Sequence, residues 1–358
     1  MTITPAEARK HFPVLENVAY LNAGSVGPLS TPTVEAMRAE EAKGLERGRG
    51  SASTFQGFFE LHTRLRERLA SFVSAPVENL ITTSSTTEGC NIVLTGLRLG
   101  PDDEVVTTDA EHPGLLRPLL ATGAQVRYAN VTQRPASGAL EAILAEVTPA
   151  TRLVALSHVL WLNGRVLPLA EIKRETRLPL LIDGAQSVGA IPVDVTVADY
   201  YAFSGQKWLC GPEGTGALYV ADPESLQPRV QSFAAQVATD SMKLALSFPS
   251  HTDLAGSLVA LEQIPEWGFA RAAELVQRCR EILLESGVEV RTEPGQSTLV
   301  SFRITGDPVA IVQQAEARGV VIRSVPDGWQ RASVGWWNNQ DDLERLGSVV
   351  RELNSASA

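Results

Sequence analysis

The 358-residue chain holds only three cysteines, Cys90, Cys210 and Cys279, and so odd and sparse a count excludes a disulfide framework and points to reduced thiols. Positive charge is short as well. The 31 Lys and Arg against 41 Asp and Glu leave a net charge of −10, which argues against a nucleic-acid or anionic-membrane partner. Any anion must be held by local groups. No apolar run approaches the ~20 residues of a membrane span, and the stretch Met1 to Pro13 lacks a basic end followed by an apolar core. A cytoplasmic location is the expectation. The five histidines, His11, His62, His112, His158 and His251, are scattered, with no pair at helical i, i+4 spacing beside a carboxylate, so no metal site is expected. Repeats and low-complexity tracts are absent too.

What is present is a core: 44% hydrophobic content over this length exceeds the usual size of one domain. Strand-like runs alternate with helical patterns. Asn79 to Thr83, Glu104 to Thr108, Gln125 to Tyr128, Arg152 to Ser157, Leu178 to Ile182, Tyr200 to Phe203 and Ala217 to Val220 read as strands, and Leu61, Leu65, Leu69 and Phe72 recur at helical spacing. The alternation predicts an α/β fold, a mainly parallel seven-stranded sheet with helices on both faces. Pro223, Pro228 and Pro249 mark a boundary region between Pro223 and Thr252. Beyond it, helices over Asp253 to Gln263 and Trp267 to Ser286 lead into Val288 to Arg291, Thr298 to Ile304, a helix Pro308 to Arg318, Val320 to Arg323, Ala332 to Trp336 and a helix Asp341 to Leu353. The expected division is a segment 1–20 packed with the smaller domain, a large domain 21–250, and a smaller C-terminal α+β domain 251–358 whose last residues, from Ser355, fray.

The densest chemistry lies between Leu180 and Gly216. The run Leu178 to Ile182 delivers Asp183 to a strand end, and Tyr200 to Phe203 delivers Ser204 and then Lys207. Two strand ends would then face one ligand, because such sheets bind at their carboxyl edges. These residue types suit pyridoxal 5'-phosphate. A carboxylate at Asp183 would keep the ring nitrogen protonated, Lys207 could form the Schiff base and act as acid and base at a substrate α-carbon, and Gln186 could donate to the ring oxygen. Ser204 and Gln206 lie near enough to Lys207 to reach the phosphate. Taken singly, Asp183 reads as a turn cap and Lys207 as a solvated lysine; order and spacing reverse that. Thr83 to Thr87 supplies five hydroxyls before a helix, whose free N–H groups favour an anion. As plain caps they would be ordinary, but beside Ser204 and Lys207 the residues Thr86 and Thr87 make the second half of a phosphate cradle.

These residues resemble the signature of the class V, cysteine desulfurase-like branch of fold type I pyridoxal phosphate enzymes, and the likeness covers most of the chain. Tyr20 to Gly24 resembles that family's N-terminal motif, Thr83 to Gly89 its phosphate loop, Glu111-His112-Pro113-Gly114 its ring-stacking histidine and Arg331-Ala332-Ser333 its substrate-carboxylate arginine. The resemblance implies the fold type I transferase architecture, an α-amino acid substrate and a homodimer. It also implies that His112 stacks on the cofactor and that Arg331 grips the substrate carboxylate, with Trp161 at the substrate; Asn22, which follows the apolar run Val18 to Leu21, reads either as a substrate contact or as a turn-forming asparagine. Thr108 to Gly114, Ser157 to Trp161, Gly164 to Leu169 and Asp199 to Gly205 are most similar to the cysteine/cystine carbon–sulfur lyase group, with Leu160-Trp161 the discriminating pair.

One absence narrows the reaction. A desulfurase needs a mobile nucleophilic cysteine shortly before the carboxylate-binding arginine, and Arg280 to Arg331 contains none. The expected reaction is therefore β-elimination at a carbon–sulfur bond of cysteine, cystine or a related thio amino acid, with a class V aminotransferase or epimerase as the alternative and a non-catalytic protein of the same fold as a third reading. The chain departs from the family pattern in places. Gln206 stands where the family has histidine, Leu162-Asn163 replaces a polar pair, and Ser247 to Thr252 occupies the place of an arginine-phenylalanine-glutamate motif. Ser250 and Thr252 are the remaining candidates for a phosphate contact lent by a partner subunit. Arg323 reads as a surface arginine on a strand end, and Trp329, Trp336 and Trp337 as packing between domains.

Overall fold

In the computed structural model, which describes residues 3–227, 229–230 and 232–356, the strands are β1 (Ala19–Tyr20), β2 (Leu80–Thr83), β3 (Glu104–Thr108), β4 (Gln125–Ala129), β5 (Thr151–Ser157), β6 (Leu180–Asp183), β7 (Tyr200–Ser204), β8 (Gly216–Val220), β9 (Glu289–Val290), β10 (Leu299–Arg303), β11 (Val320–Val321), β12 (Arg323–Val325) and β13 (Trp329–Ser333). A seven-stranded sheet carries β2, β8, β7, β6, β5, β3 and β4 in that order. All neighbours run parallel except β8, which is antiparallel to both β2 and β7. The expected α/β architecture is the observed one.

Period-two alternation assigns each strand residue to a face. Leu156, Ile182, Tyr201 and Phe203 point into one core with the helix Ala52–Phe72, whereas Leu153, Ala155, Leu181, Tyr200 and Ala202 enter the other with the helix Thr86–Gly96. Both faces are thus covered, as a parallel sheet requires. The helix 251–262 buries Leu254, Leu258 and Leu261 in the first of these cores.

A separate core joins the helices Gly268–Glu285 and Gln340–Ala356 to a four-stranded antiparallel sheet, β12-β13-β10-β9. Ala19 and Leu21 belong to it as well, because β1 pairs in parallel with β11. The expected single strand Val320 to Arg323 is therefore two strands in two sheets, divided at the buried Ile322. The next expectation also shifts. Asp327 and Gly328 take φ values of +63° and +79°, closing a hairpin that starts β13 at Trp329 and places Arg331 mid-strand, where the strand was expected only from Ala332 to Trp336. Trp336 and Trp337 fall beyond the strand and pack on Phe12.

The helix Thr31–Arg47 has no sequence signature of an apolar stripe, since Thr33 alone in it is fully buried. Local capping starts it: Ser30 Oγ accepts from Thr33 N at 3.2 Å. It then lies close against the helix His251–Glu262, where a Cβ at Gly256 would stand 2.7 Å from Met37 Cγ. Within the boundary region, Ala234, Met242, Leu244 and Ala245 add to the large core; Pro228 lies outside the described residues. The terminal helix runs through Ala356 where fraying was expected, and residues 357–358 lie outside those described. No helix among the described residues is long and apolar enough to cross a membrane.

Candidate active site

The carboxyl ends of β2, β3, β5, β6 and β7 open on one edge of the large sheet, and a cleft of roughly 260 Å³ lies there. Its walls include Thr86, Thr87, His112, Trp161, Asp183, Gln186, Ser204, Gln206 and Lys207. Segments spread over more than a hundred residues converge on one volume.

One end is a hydroxyl-lined helix start. Ser85 caps the helix Thr86–Gly96, its Oγ accepting from Glu88 N at 3.1 Å, and Thr86 N donates to Ser204 Oγ at 3.2 Å while their two hydroxyl oxygens lie 2.7 Å apart. A second helix, Pro113–Ala121, starts beside the first: His112 Nδ1 accepts from Gly114 N at 3.0 Å. A Cβ at Gly114 would stand 2.6 Å from Thr87 Oγ1, so the approach needs glycine. Two helix N-termini therefore point their partial positive charge at this end.

The titratable groups share the same lining. Asp183, fully buried, takes Ala185 N on Oδ1 at 2.9 Å, and burial raises its pKa against the opposing pull of Lys207. Burial lowers the Lys207 ammonium to about 8, helped by Arg331 and Arg323 and opposed by Asp183. An amine near neutrality is a usable nucleophile and base. His112 is pressed to about 4, by burial first and then by Lys207, Arg323 and Arg331, so its imidazole is neutral; its ring meets Trp161 edge-on at 5.1 Å. Behind His112, Glu111 is buried and raised to about 7 by desolvation, accepting from Thr108 Oγ1 at 2.6 Å and from Ser157 N at 2.9 Å. Sequence reasoning quoted Glu111 only as part of a motif.

Arg331 and Asn22 stand just behind the wall, out of the cleft lining. Asn22 is engaged locally, its Oδ1 accepting from Ser25 Oγ at 2.8 Å. Arg331 is fully buried; Nη1 donates to Trp161 O at 2.8 Å, while Nε and Nη2 have no partner among the described residues. Gly24, which lines the cleft, lies directly against it: a Cβ there would stand 2.6 Å from Arg331 Nη2. Arg323 is not the surface arginine expected. It lines the cleft, donates to Ser25 Oγ at 3.1 Å and stands 5.8 Å from the centre of the Trp161 ring, because β12 registers it directly across from Arg331. Ser250 and Thr252 lie elsewhere, on a surface groove of roughly 970 Å³ with Arg47, Arg49 and Arg64.

Pyridoxal 5'-phosphate fits these groups. The helix starts with Thr86, Thr87 and Ser204 suit its phosphate, Asp183 its ring nitrogen, neutral His112 its ring face and Lys207 its aldehyde. The buried Arg331 Nε and Nη2, without a partner among the described residues, are donors suited to an anion behind the cleft.

Comparison with known proteins agrees. Residues 20–346 match the Aminotransferase class-V family. The chain is 27% identical to a probable cysteine desulfurase of Methanothermobacter thermautotrophicus over 97% of both chains, and 31% identical to the isopenicillin N epimerase of Amycolatopsis lactamdurans over 61% of this chain and 58% of that one. A C-DES variant with glycine covalently linked to its PLP cofactor superposes with a TM-score of 0.90 at 30% identity, covering 96% of this chain and 99% of the other. The cystine C-S lyase C-DES in complex with its product cysteine persulfide gives 0.89 at 30% identity, with the same coverage. With its motifs, its sheet and its cleft in agreement, the chain belongs to the aminotransferase class V family and is a pyridoxal 5'-phosphate enzyme.

Proposed function

We propose that the enzyme eliminates sulfur from the β-carbon of cystine, cysteine or a related thio amino acid. With cystine, one molecule and one water would give pyruvate, ammonia and cysteine persulfide. The observation that carries this reading is the state of the thiols. Cys90, Cys210 and Cys279 are all buried, and desolvation raises each: Cys279 to about 12, Cys90 and Cys210 upward as well. Thiolate, not thiol, is the nucleophile. Between Arg323 and Arg331 the chain makes only the tight Pro326-Asp327-Gly328 turn, with no thiol to abstract sulfur. The likeness to the C-DES lyase supports the same reading.

When bound, pyridoxal phosphate supplies the electron sink for charge at the substrate α-carbon. The protein does the rest. Arg331 Nε and Nη2 take the substrate carboxylate, which fixes the α-hydrogen relative to Lys207. Lys207 Nζ, whose pKa burial brings down to about 8 so that the free amine is accessible near neutral pH, accepts that hydrogen as a proton. Asp183 holds a proton at the ring nitrogen, and His112 covers the ring without adding charge. Gln206 brings an uncharged amide where relatives would bring an imidazole, leaving the phosphate to hydroxyls and helix termini.

Incubation with cystine and no keto acid tests the proposal. Pyruvate and persulfide in equal amounts are expected. A racemised substrate without pyruvate would instead favour the epimerase reading, which the similarity to isopenicillin N epimerase keeps in view.

We also propose a homodimer assembled through the helices Thr31–Arg47 and Ala52–Phe72. Leu45, Phe55 and Phe59 are exposed there at 85, 54 and 52%, beside the groove holding Ser250 and Thr252. Apolar patches of this kind mark association surfaces.

A further inference from the structure

The residue after Lys207 is an indole buried to 1% exposure, and it does not line the cleft. Its nitrogen is nevertheless spoken for: Trp208 Nε1 donates to Gln186 Oε1 at 3.0 Å. On the other side of the same amide, Gln186 Nε2 donates to Gly24 O at 2.7 Å. An indole N–H can only donate and a backbone carbonyl can only accept. The two contacts therefore allow a single orientation of the Gln186 amide. One N–H of its two is consumed by Gly24, and Gln186 is a cleft-lining residue.

We propose that Trp208 is a positioning residue, clamping the Gln186 amide so that its remaining N–H is presented to the group bound in the cleft as a fixed hydrogen-bond donor. The inference rests on the assignment of the cleft to pyridoxal phosphate and adds to it a residue that touches neither cofactor nor substrate. The indole is itself immobilised. The Trp337 ring lies 6.5 Å away, and a Cβ at Gly189 would stand 2.8 Å from the Trp208 carbonyl carbon, so the loop after β6 presses directly on its backbone. Because Trp208 is joined covalently to Lys207, the same short segment sets the amine that binds the aldehyde and the donor aimed at the cofactor. Phe12, Trp336 and Trp337 complete the buried cluster.

Trp208→Phe keeps a ring and deletes the donor. A donor toward the ring oxygen favours negative charge there, so its loss should raise the pH midpoint of the visible absorption of the lysine-linked cofactor by about one unit, the size of a hydrogen bond to a charged acceptor. Gln186→Met should raise it similarly, and the double variant should add little, since both changes break one contact. Apo stability, measured by thermal unfolding, separates a packing defect from the proposed role. A Phe variant with lowered melting temperature and an unmoved midpoint would overturn the proposal. Wild-type protein labelled with [15N]tryptophan gives a reading that needs no change at Trp208: its indole N–H should exchange slowly with solvent and faster in Gln186→Met. Equal exchange in both would also overturn it. A wild type that takes up no chromophore would instead sink the cofactor assignment, which distinguishes the two failures.

Discussion

Replacing Arg331 by methionine should cripple the enzyme while leaving the apoprotein as stable as before, or more so. The guanidinium is fully buried, donates once, to Trp161 O, and leaves Nε and Nη2 unpartnered. Burial, with a smaller push from Arg323, lowers its pKa to about 9, which at neutral pH amounts to a folding penalty of roughly 5 kcal/mol. Methionine removes that penalty and fills much of the space, at the cost of one stranded carbonyl, worth about 1–3 kcal/mol. The balance favours the variant. Losing one partner of a desolvated charge pair costs about 2–5 kcal/mol of binding, so kcat/KM for an α-amino acid should fall roughly 30-fold to several thousand-fold. Denaturant melts of both apo forms and pyruvate release from cystine measure the two effects. The sign with pH is an internal check. A base whose folded pKa is depressed penalises folding below that pKa, and the penalty fades as pH climbs from about 9 toward 12.5. The stability advantage of the variant should therefore shrink above pH 9. A variant several kcal/mol less stable than wild type, with kcat/KM within about threefold, would refute the reasoning.

Lys207 gives a simpler test: in the apoprotein its rate of imine formation with pyridoxal phosphate should rise with a midpoint near pH 8, not near the ordinary lysine value, and Lys207→Ala should retain no label after borohydride. Acid should weaken the fold early, because burial presses His62, His112 and His158 to about 4. The folded state then binds fewer protons than the unfolded chain between about 4 and 6.5, so stability falls as pH drops through that window. Glu111, raised to about 7, works in the opposite direction, and Glu111→Gln should make the acid loss steeper in thermal melts from pH 8 to 4.

The large sheet was legible because its strands bury both faces and so read as continuous apolar runs closed by polar residues; Asp183 and Ser204 mark the ends of two of them. Motif order was equally plain, since Thr86, His112 and Lys207 each follow a strand and meet at one edge. Other features left no local trace. The helix Thr31–Arg47 is mostly exposed along its length, so no apolar period announces it. Val320 to Arg323 looks like one strand because β-branched residues continue through it, yet its halves pair with β1 and β13, a choice made by distant partners. The Trp208 to Gln186 contact spans 22 positions and depends on the packing of two loops.

The two arginines show why register matters more than residue type at this site. Arg323 and Arg331 are eight positions apart and would be unremarked on two separate elements. The turn at Asp327 and Gly328 makes them direct cross-strand partners, an arrangement in which like charges repel. Arg331 has only a backbone carbonyl, Trp161 O, to offset this, and Arg323 lowers its pKa further. An anion between Arg331 and the cleft would offset the repulsion and satisfy Nε and Nη2 together, which is the place the proposed function gives to the substrate carboxylate. With Arg331 in the proposed role, binding energy gained this way would favour amino acids over simple amines, because an amine lacks the carboxylate.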